Sequence, residues 1–315
     1  MTEDTQAGTL MSIGELARTT GLAVRTIRFY CDEGIVESQR SAGGHRMFDA
    51  RRAPERLLLV RRLRALGLGL GSITDVLHGR RTIAEAIASE SARLDIEFRT
   101  LAWRRASMRA AEAASPAQLA ERLALLAAAQ DADAVHDRLV RFWRRFFTEM
   151  TRRDFDTFVC GNIPAPPADP SVDEVVAYAE LTALVSDPEL YGVVGRQFWR
   201  NQPQLIRDRR ALFFALGDVL MDVLPLVSDG VRPHAGNELD RFVDAHARAR
   251  GERDSPRFRQ QLLVDATDTD VRIRRYWALT AKLSGMPALA GQAHHWLFEA
   301  LDHSHNRNAR ADSGS

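Results

Sequence analysis

Cysteine and lysine are nearly absent from this chain of 315 residues: Cys31 and Cys160 are the only thiols and Lys282 is the only lysine. Two cysteines exclude a disulfide scaffold and a cysteine-rich zinc site. Long apolar runs are missing too, none approaching the ~18 uninterrupted residues of a membrane span. The opening MTEDTQAGTL carries acids and lacks the basic-then-apolar pattern of a signal peptide, so residues 1–10 read as a flexible tail. A cytoplasmic address, away from membranes, follows. Catalytic signatures are also lacking. There is no phosphate-binding glycine loop, nucleophile elbow or paired-carboxylate motif, so neither an enzyme nor a cofactor is expected. His295 and Glu299 share a helical face near His294, His303 and His305, but two ligands do not make a metal site, and capping with tail disorder accounts for them. Asp265, Asp268 and Asp270 lack the glycine and terminal glutamate of a calcium loop, and Asp268 suffices as a helix cap.

What is present describes a globular protein: 45% hydrophobic and 27% charged residues, over a length that favours two or more folded units. The net charge of +1 hides an asymmetry. Residues 11–81 hold thirteen arginines against seven acids, a net of +6, whereas the rest of the chain is slightly acidic. A compact basic head on a near-neutral body suits a polyanion partner. Arginine abundance in a chain with one lysine also reflects composition bias, so charge alone does not establish DNA binding.

The order of elements in the head says more. In residues 11–21, MSIGELARTTG, Ser12 and Glu15 fit a capping box over a helix whose Ile13, Leu16 and Ala17 share a face, and Gly21 stops it. A second helix follows over residues 25–33 and ends at Gly34. Two short helices around a tight glycine turn form a helix-turn-helix, whose second helix enters the major groove. Arg25 and Arg28 share one face of it with Thr26 and Phe29 beside them, while Ile27 and Tyr30 point toward the core or the phosphates. Residues 37–48 then read as two short strands around Gly43-Gly44, a wing decorated by Arg40, His45 and Arg46, with Phe48 packing back on the helices. An arginine-rich amphipathic helix over residues 50–65 and a further helix over 70–77 complete the head.

Taken in order, Ile13-Gly-Glu-Leu-Ala17, Val24-Arg-Thr-Ile-Arg-Phe-Tyr30, Gly34-Ile35, Gly44-His-Arg-Met-Phe48, Leu63-Arg-Ala-Leu-Gly67 and Ile73 make the head similar to the N-terminal domain of the MerR family of winged helix-turn-helix transcription regulators. The resemblance implies double-stranded promoter DNA as partner, with reading-helix contacts from Arg25, Thr26, Arg28 and Tyr30 and a wing contact from Arg46. Arg18, Arg40 and His45 join these as candidate DNA contacts. It also implies an activator that bends and untwists an over-long promoter spacer for RNA polymerase. Cys31 stands where the family commonly runs on to an acidic residue; it is either a small half-buried residue or a redox sensor.

Residues 82–114 carry a helical pattern free of glycine and proline. Ile87, Leu94, Leu101 and Met108 recur every seven residues, and Phe98 sits at the complementary position with Ala84 and Ser91. This is a coiled-coil seam, weakened by Arg105 at its far end. The alternative is an ordinary amphipathic helix packed on its own chain. By resemblance the segment is the antiparallel dimerisation helix, giving a homodimer on a pseudo-palindromic operator. No cysteine lies between Cys31 and Cys160, which argues against metal or iron–sulfur sensing.

Residues 115–303 read as an all-α effector-binding domain, followed by a flexible tail over 304–315; the fold class of the whole is mainly α with a small β-hairpin wing. Helix starts stand at Ser115-Pro, Ser171-Val-Asp-Glu174, Asp187-Pro, Ser255-Pro and Gly285-Met-Pro287, and the proline-rich residues 162–170 divide the body into two lobes. Eighteen of 23 aromatics fall after Ser115, many in adjacent pairs. Trp143, Phe147, Trp199, Phe214, Trp277 and Trp296 are candidate lining for a hydrophobic or aromatic small-molecule effector, with arginines beside several of them. The same residues equally fill the core of a helical bundle. The functional alternatives are a repressor whose body only dimerises, a body that binds a protein partner, and an enzyme fused to a DNA-binding head.

Overall fold

The computed structural model describes residues 9–286 and 289–312. Two compact units divide at Glu97/Phe98. The first holds β1 (Leu10–Ser12), α1 (Ile13–Thr20), α2 (Val24–Asp32), β2 (Gln39–Arg40), β3 (Arg46–Asp49), α3 (Arg52–Ala65), α4 (Leu70–Leu77) and the start of α5 (Ile83–Glu112). The second takes in the rest of α5 and ten further helices: α6 (Leu119–Ala127), α7 (Ala132–Arg144), α8 (Arg152–Asn162), α9 (Val172–Ser186), α10 (Pro188–Trp199), α11 (Arg209–Ser228), α12 (Asn237–Arg250), α13 (Pro256–Leu263), α14 (Val271–Ser284) and α15 (Ala290–Asp312). Past Asp49 no strand occurs among the described residues, in keeping with an all-α body.

Local chemistry explains the head. The Ser12 backbone donates to Glu15 Oε2 at 2.8 Å while the Glu15 N–H donates to Ser12 Oγ, closing the capping box that starts α1. Gly21, at φ 68°, lets the backbone reverse and donate to the Ala17 carbonyl, a conformation costly for any residue with a Cβ. The hairpin turn closes through Ser41 N to His45 O and Gly44 N to Ser41 O. One strand was not anticipated. Leu10–Ser12 adds to the hairpin as β1, giving an antiparallel sheet of order β1-β3-β2, so the expected tail over residues 1–10 is corrected at its last residue; residues 1–8 lie outside the described ones. Phe48, Leu16, Ile27, Ile35, Leu57, Val60 and Ile73 form the core beneath. The arginines of α3 are partly structural: Arg56 Nε donates to the Ile35 carbonyl at 2.6 Å and Arg61 to that of Thr20 at 2.9 Å, closing the turns around α2.

The body has one continuous core running from Trp103 on α5 to Leu301 on α15. The two lobes expected around residues 162–170 are therefore not found: Ile163 is itself buried in that core. Ser171, Asp187 and Ser255 cap α9, α10 and α13 as their sequences suggest. Ser115 does not begin a helix. Its hydroxyl bonds the Gln118 side chain within a turn, and α6 starts at Leu119. Pro287 falls outside the described residues. Asp270 rather than Asp268 caps α14, because Asp268 is committed to a buried ion pair with Arg200. The tail expected from residue 304 is instead helix to Asp312, since Leu297, Ala300, Leu301 and Ser304 continue the buried face of α15. Among the described residues α11 alone is long and apolar enough to cross a membrane by length and composition. Asp218 and Asp222 interrupt its apolar run, and it packs against α12 and α15.

Candidate nucleic-acid interface

On α2 the burial pattern separates two faces. Ile27 is fully buried, which anchors the helix and turns Arg25 and Arg28 outward. Neither arginine forms a hydrogen bond or ion pair among the described residues, so both guanidinium groups keep their donors for an outside partner. Thr26 is half-buried beside them, and Phe29 is exposed on the same side. Tyr30 takes the core side of the two positions that its spacing allows. It is 8% exposed, with its ring 5.8 Å from the Phe29 ring, and so packs α2 onto the core. Arg18 is exposed in the last turn of α1, and Arg40 and His45 are exposed on the wing.

Arg46 is placed differently from its neighbours on the wing. Its Nη2 donates to Asp32 Oδ1 at 2.9 Å, joining β3 to the C-terminal end of α2, and its Nη1 is buried without a partner. The Asp32 carboxylate holds its guanidinium more firmly protonated than usual. This pair had no signal in the sequence, since its members stand fourteen residues apart across a turn. Cys31 is half-buried, and burial pushes its thiol up despite the opposing charge of Arg46. A thiol held protonated is a poor redox nucleophile, which favours the packing role.

A basic helix with an outward arginine face, following a capped helix and preceding a glycine-turned wing, is an arrangement found in a known family. Residues 11–80 match the family described as MerR HTH family regulatory protein. The first unit carries a MerR head. This head is also similar to three proteins named nodulation protein NolA. That of Bradyrhizobium sp. (strain NC92) is 36% identical over 98 residues, 31% of this chain and 41% of that protein. The Bradyrhizobium elkanii protein is 36% identical over 86 residues, 27% of this chain and 39% of the relative. The Bradyrhizobium diazoefficiens protein is 35% identical over 86 residues, 27% of this chain and 36% of the relative. The matched segment thus spans about two fifths of these relatives. No solved structure matches the chain.

Beyond the MerR head, α5 starts with a Thr82–Glu85 capping box and runs unbroken to Glu112. Every residue from 91 to 101 is exposed, and Ile87, Leu94, Phe98, Leu101 and Met108 are each between 41% and 59% exposed. Only the far half buries one face on the body, through Ala102, Trp103, Ala106 and Ala110, with Trp103 Nε1 donating to the Ala129 carbonyl at 2.8 Å. The five candidate seam residues stand off that buried face.

The aromatic candidates behave as core. Trp143, Phe147, Trp199, Trp277 and Trp296 are buried, and Trp143 alone meets seven other rings while donating to the Tyr276 hydroxyl at 2.6 Å. Phe214 is apart from them, exposed on α11 with Arg210 over its ring. The neighbouring arginines stack on rings of the body itself, Arg144 on Phe155 and Arg145 on Tyr191. An open concavity of about 360 Å³ lies elsewhere in the body, lined by alanines of α11 and α12 together with Arg207, Asp218 and Arg248. Among the described residues no group of three or more histidine, cysteine or acidic side chains is arranged to hold a metal ion.

Proposed function

We propose that the chain is a DNA-binding transcription regulator that acts as a homodimer on a pseudo-palindromic operator. The observation that carries the reading is the exposed, unpartnered pair Arg25 and Arg28 on α2, inside the segment that matches the MerR family. Guanidinium groups so placed suit guanine edges and phosphates, with Thr26 between them and Arg18, Arg40 and His45 on the flanks for the backbone. Arg46 supplies a further wing contact, with one edge of its guanidinium shared with Asp32. The exposed seam on α5 supports dimerisation, which would set two reading helices on one face of the duplex.

In this reading the protein is cytoplasmic and not an enzyme, and its phosphate contacts offset the few kcal/mol needed to bend and untwist a promoter for RNA polymerase. The helical body senses a small organic molecule. A body that serves only to dimerise, or that receives a protein, is the second reading, favoured by the burial of five of the six candidate aromatics. Selection of binding sites from random DNA, followed by fluorescence anisotropy on the selected sequence, tests the proposal. Recovery of a two-fold site bound by dimers supports it; tight binding of a lone half-site by a monomer rules out the dimeric operator, and no selected sequence rules out the DNA reading.

A further inference from the structure

The second unit buries more positive than negative charge. Arg200 and Arg250 are both buried, and Asp268 is the one buried carboxylate among the described residues. Arg200 spends Nη1 and Nη2 on Asp268, with Gln197 donating to the same carboxylate at 3.5 Å. Arg250 has no ion pair among the described residues. Its donors go to the carbonyls of Trp199, Asn201 and His246 and to His246 Nδ1 at 3.2 Å. Burial draws its guanidinium down to about 10, still charged at neutral pH. Glu252 is the one acidic charge that favours its charged form, and it does not reach ion-pair distance; a buried cation so placed is costly, since such charges are ordinarily paired.

Around this charge stand donors with nothing to bind. Arginine only donates, so His246 Nδ1 must accept and the neutral ring carries its proton on Nε2, which has no partner. Arg200 Nε has none either, and His294 has none at either nitrogen although its ring is fully buried. Burial and the Arg200 charge hold both imidazoles neutral, His294 down to about 3. Three unmatched N–H donors thus face one unmatched acceptor. All three side chains surround Phe242: the His246 and His294 rings lie 4.7 and 6.2 Å from its centroid and the Arg200 guanidinium carbon 5.3 Å. Phe198 closes on His294 at 4.6 Å.

Backbone strain gathers at the same place. The three non-glycine residues with positive φ among the described residues are Arg200, Gln202 and Asp265, the last three residues before Asp268. Each such residue costs on the order of 1 kcal/mol and persists where the surroundings enforce it, often at ligand clamps. The turn that follows Arg200 is exposed at Pro203, Gln204 and Leu205.

We propose that this cluster between α10, α12 and α15 receives a small organic carboxylate, whose oxygens accept from Arg200 Nε, His246 Nε2 and His294 and whose charge balances Arg250. Phe198 and Phe242 supply apolar walls for its carbon skeleton. The proposal rests on the effector-sensing reading of the body and narrows it to a monoanion.

The test uses the full-length protein with sodium benzoate and sodium acetate as probes, and benzamide and sodium chloride as neutral and inorganic comparators, followed by calorimetry. Saturable binding of a carboxylate, absent for benzamide, is expected. His294→Leu should weaken it about tenfold, the worth of one hydrogen bond to a charged group, and His294→Gln, which keeps a donor, should restore most of it. No saturable carboxylate binding, binding of chloride alone, or equal binding by His294→Leu each overturns the proposal; the donors then serve internal water or an inorganic ion. Anisotropy on operator DNA separates the two readings. Benzoate bound with unchanged DNA affinity leaves the site standing and removes the sensing reading, whereas DNA binding without benzoate binding removes the site alone.

Discussion

Arg46 on the wing and Asp32 at the end of α2 form an ion pair at 2.9 Å, so the two elements proposed to face DNA are tied to each other by charge. The pair is partly exposed, Arg46 at 33% and Asp32 at 63% of their side chains, and so contributes little to stability, roughly 0–1 kcal/mol. Its effect belongs to binding. Asp32 places a negative charge where phosphates would approach and occupies one edge of the Arg46 fork.

Asp32→Ala is expected to leave thermal stability almost unchanged and to tighten operator binding while steepening its salt dependence, because Arg46 becomes free to release one further counterion, a slope change of about one. Anisotropy titrations over a range of salt concentrations read both quantities. A weaker complex with an unchanged slope would instead mean that the pair fixes the angle of the wing.

Arg25→Ala and Arg28→Ala should each weaken operator binding without altering the fold, since both side chains are exposed and neither forms a hydrogen bond or ion pair among the described residues. A guanine-reading contact is worth about 1–3 kcal/mol and its loss relaxes discrimination at one base pair. A phosphate contact lowers affinity across all sequences and reduces the salt slope by about one. Titrations against single-base operator variants distinguish the two for each arginine, and full retention of affinity in both variants would remove α2 from the interface.

Local chemistry made much of the head legible. Ser12 with Glu15, Gly21 and the Gly43-Gly44 turn act within four residues of themselves, so spacing alone announces them. Long-range partners are silent in a single sequence. Nothing near Leu10 shows that it pairs with Asp49, and Asp268 resembles a helix cap until Arg200, 68 residues away, claims its carboxylate. The body's aromatics are ambiguous as site markers for a related reason. A tryptophan such as Trp143 has the same spacing in a core as in a pocket, and only its ring neighbours distinguish them. The cluster at His294 was missed because two adjacent histidines near the C-terminus carry no sign of burial.

Leu94→Asp and Leu101→Asp are expected to shift the protein from dimer to monomer, read by sedimentation velocity. Both side chains are about half exposed within their own chain, so a charge there costs the folded monomer little. In a seam it would place two buried carboxylates against apolar partners, a penalty of several kcal/mol. An unchanged sedimentation coefficient in both variants would assign α5 an intramolecular role. Far-ultraviolet circular dichroism is expected to stay close to wild type, except for fraying of the exposed middle of α5.

Acid should destabilise the body well above the range where carboxylates titrate. In the unfolded chain His246 and His294 take up protons near pH 6.5. In the folded protein burial, with Arg200 and Arg250 adding repulsion, keeps His246 neutral far below that, and His294 does not protonate until about pH 3. Asp268 does not relieve them, because Arg200 occupies it. Between these limits the unfolded state binds more protons than the native one, so stability is greatest above pH 6.5 and falls as pH drops, by about 1 kcal/mol per pH unit for each histidine. Urea denaturation at pH 7, 6 and 5 measures the slope. His294→Leu removes one of the two titrations and also an unpartnered buried polar ring, so it should flatten the slope by about half while leaving stability at pH 7 equal or higher. A slope unchanged by that variant would mean that His294 already exchanges protons with solvent in the native state.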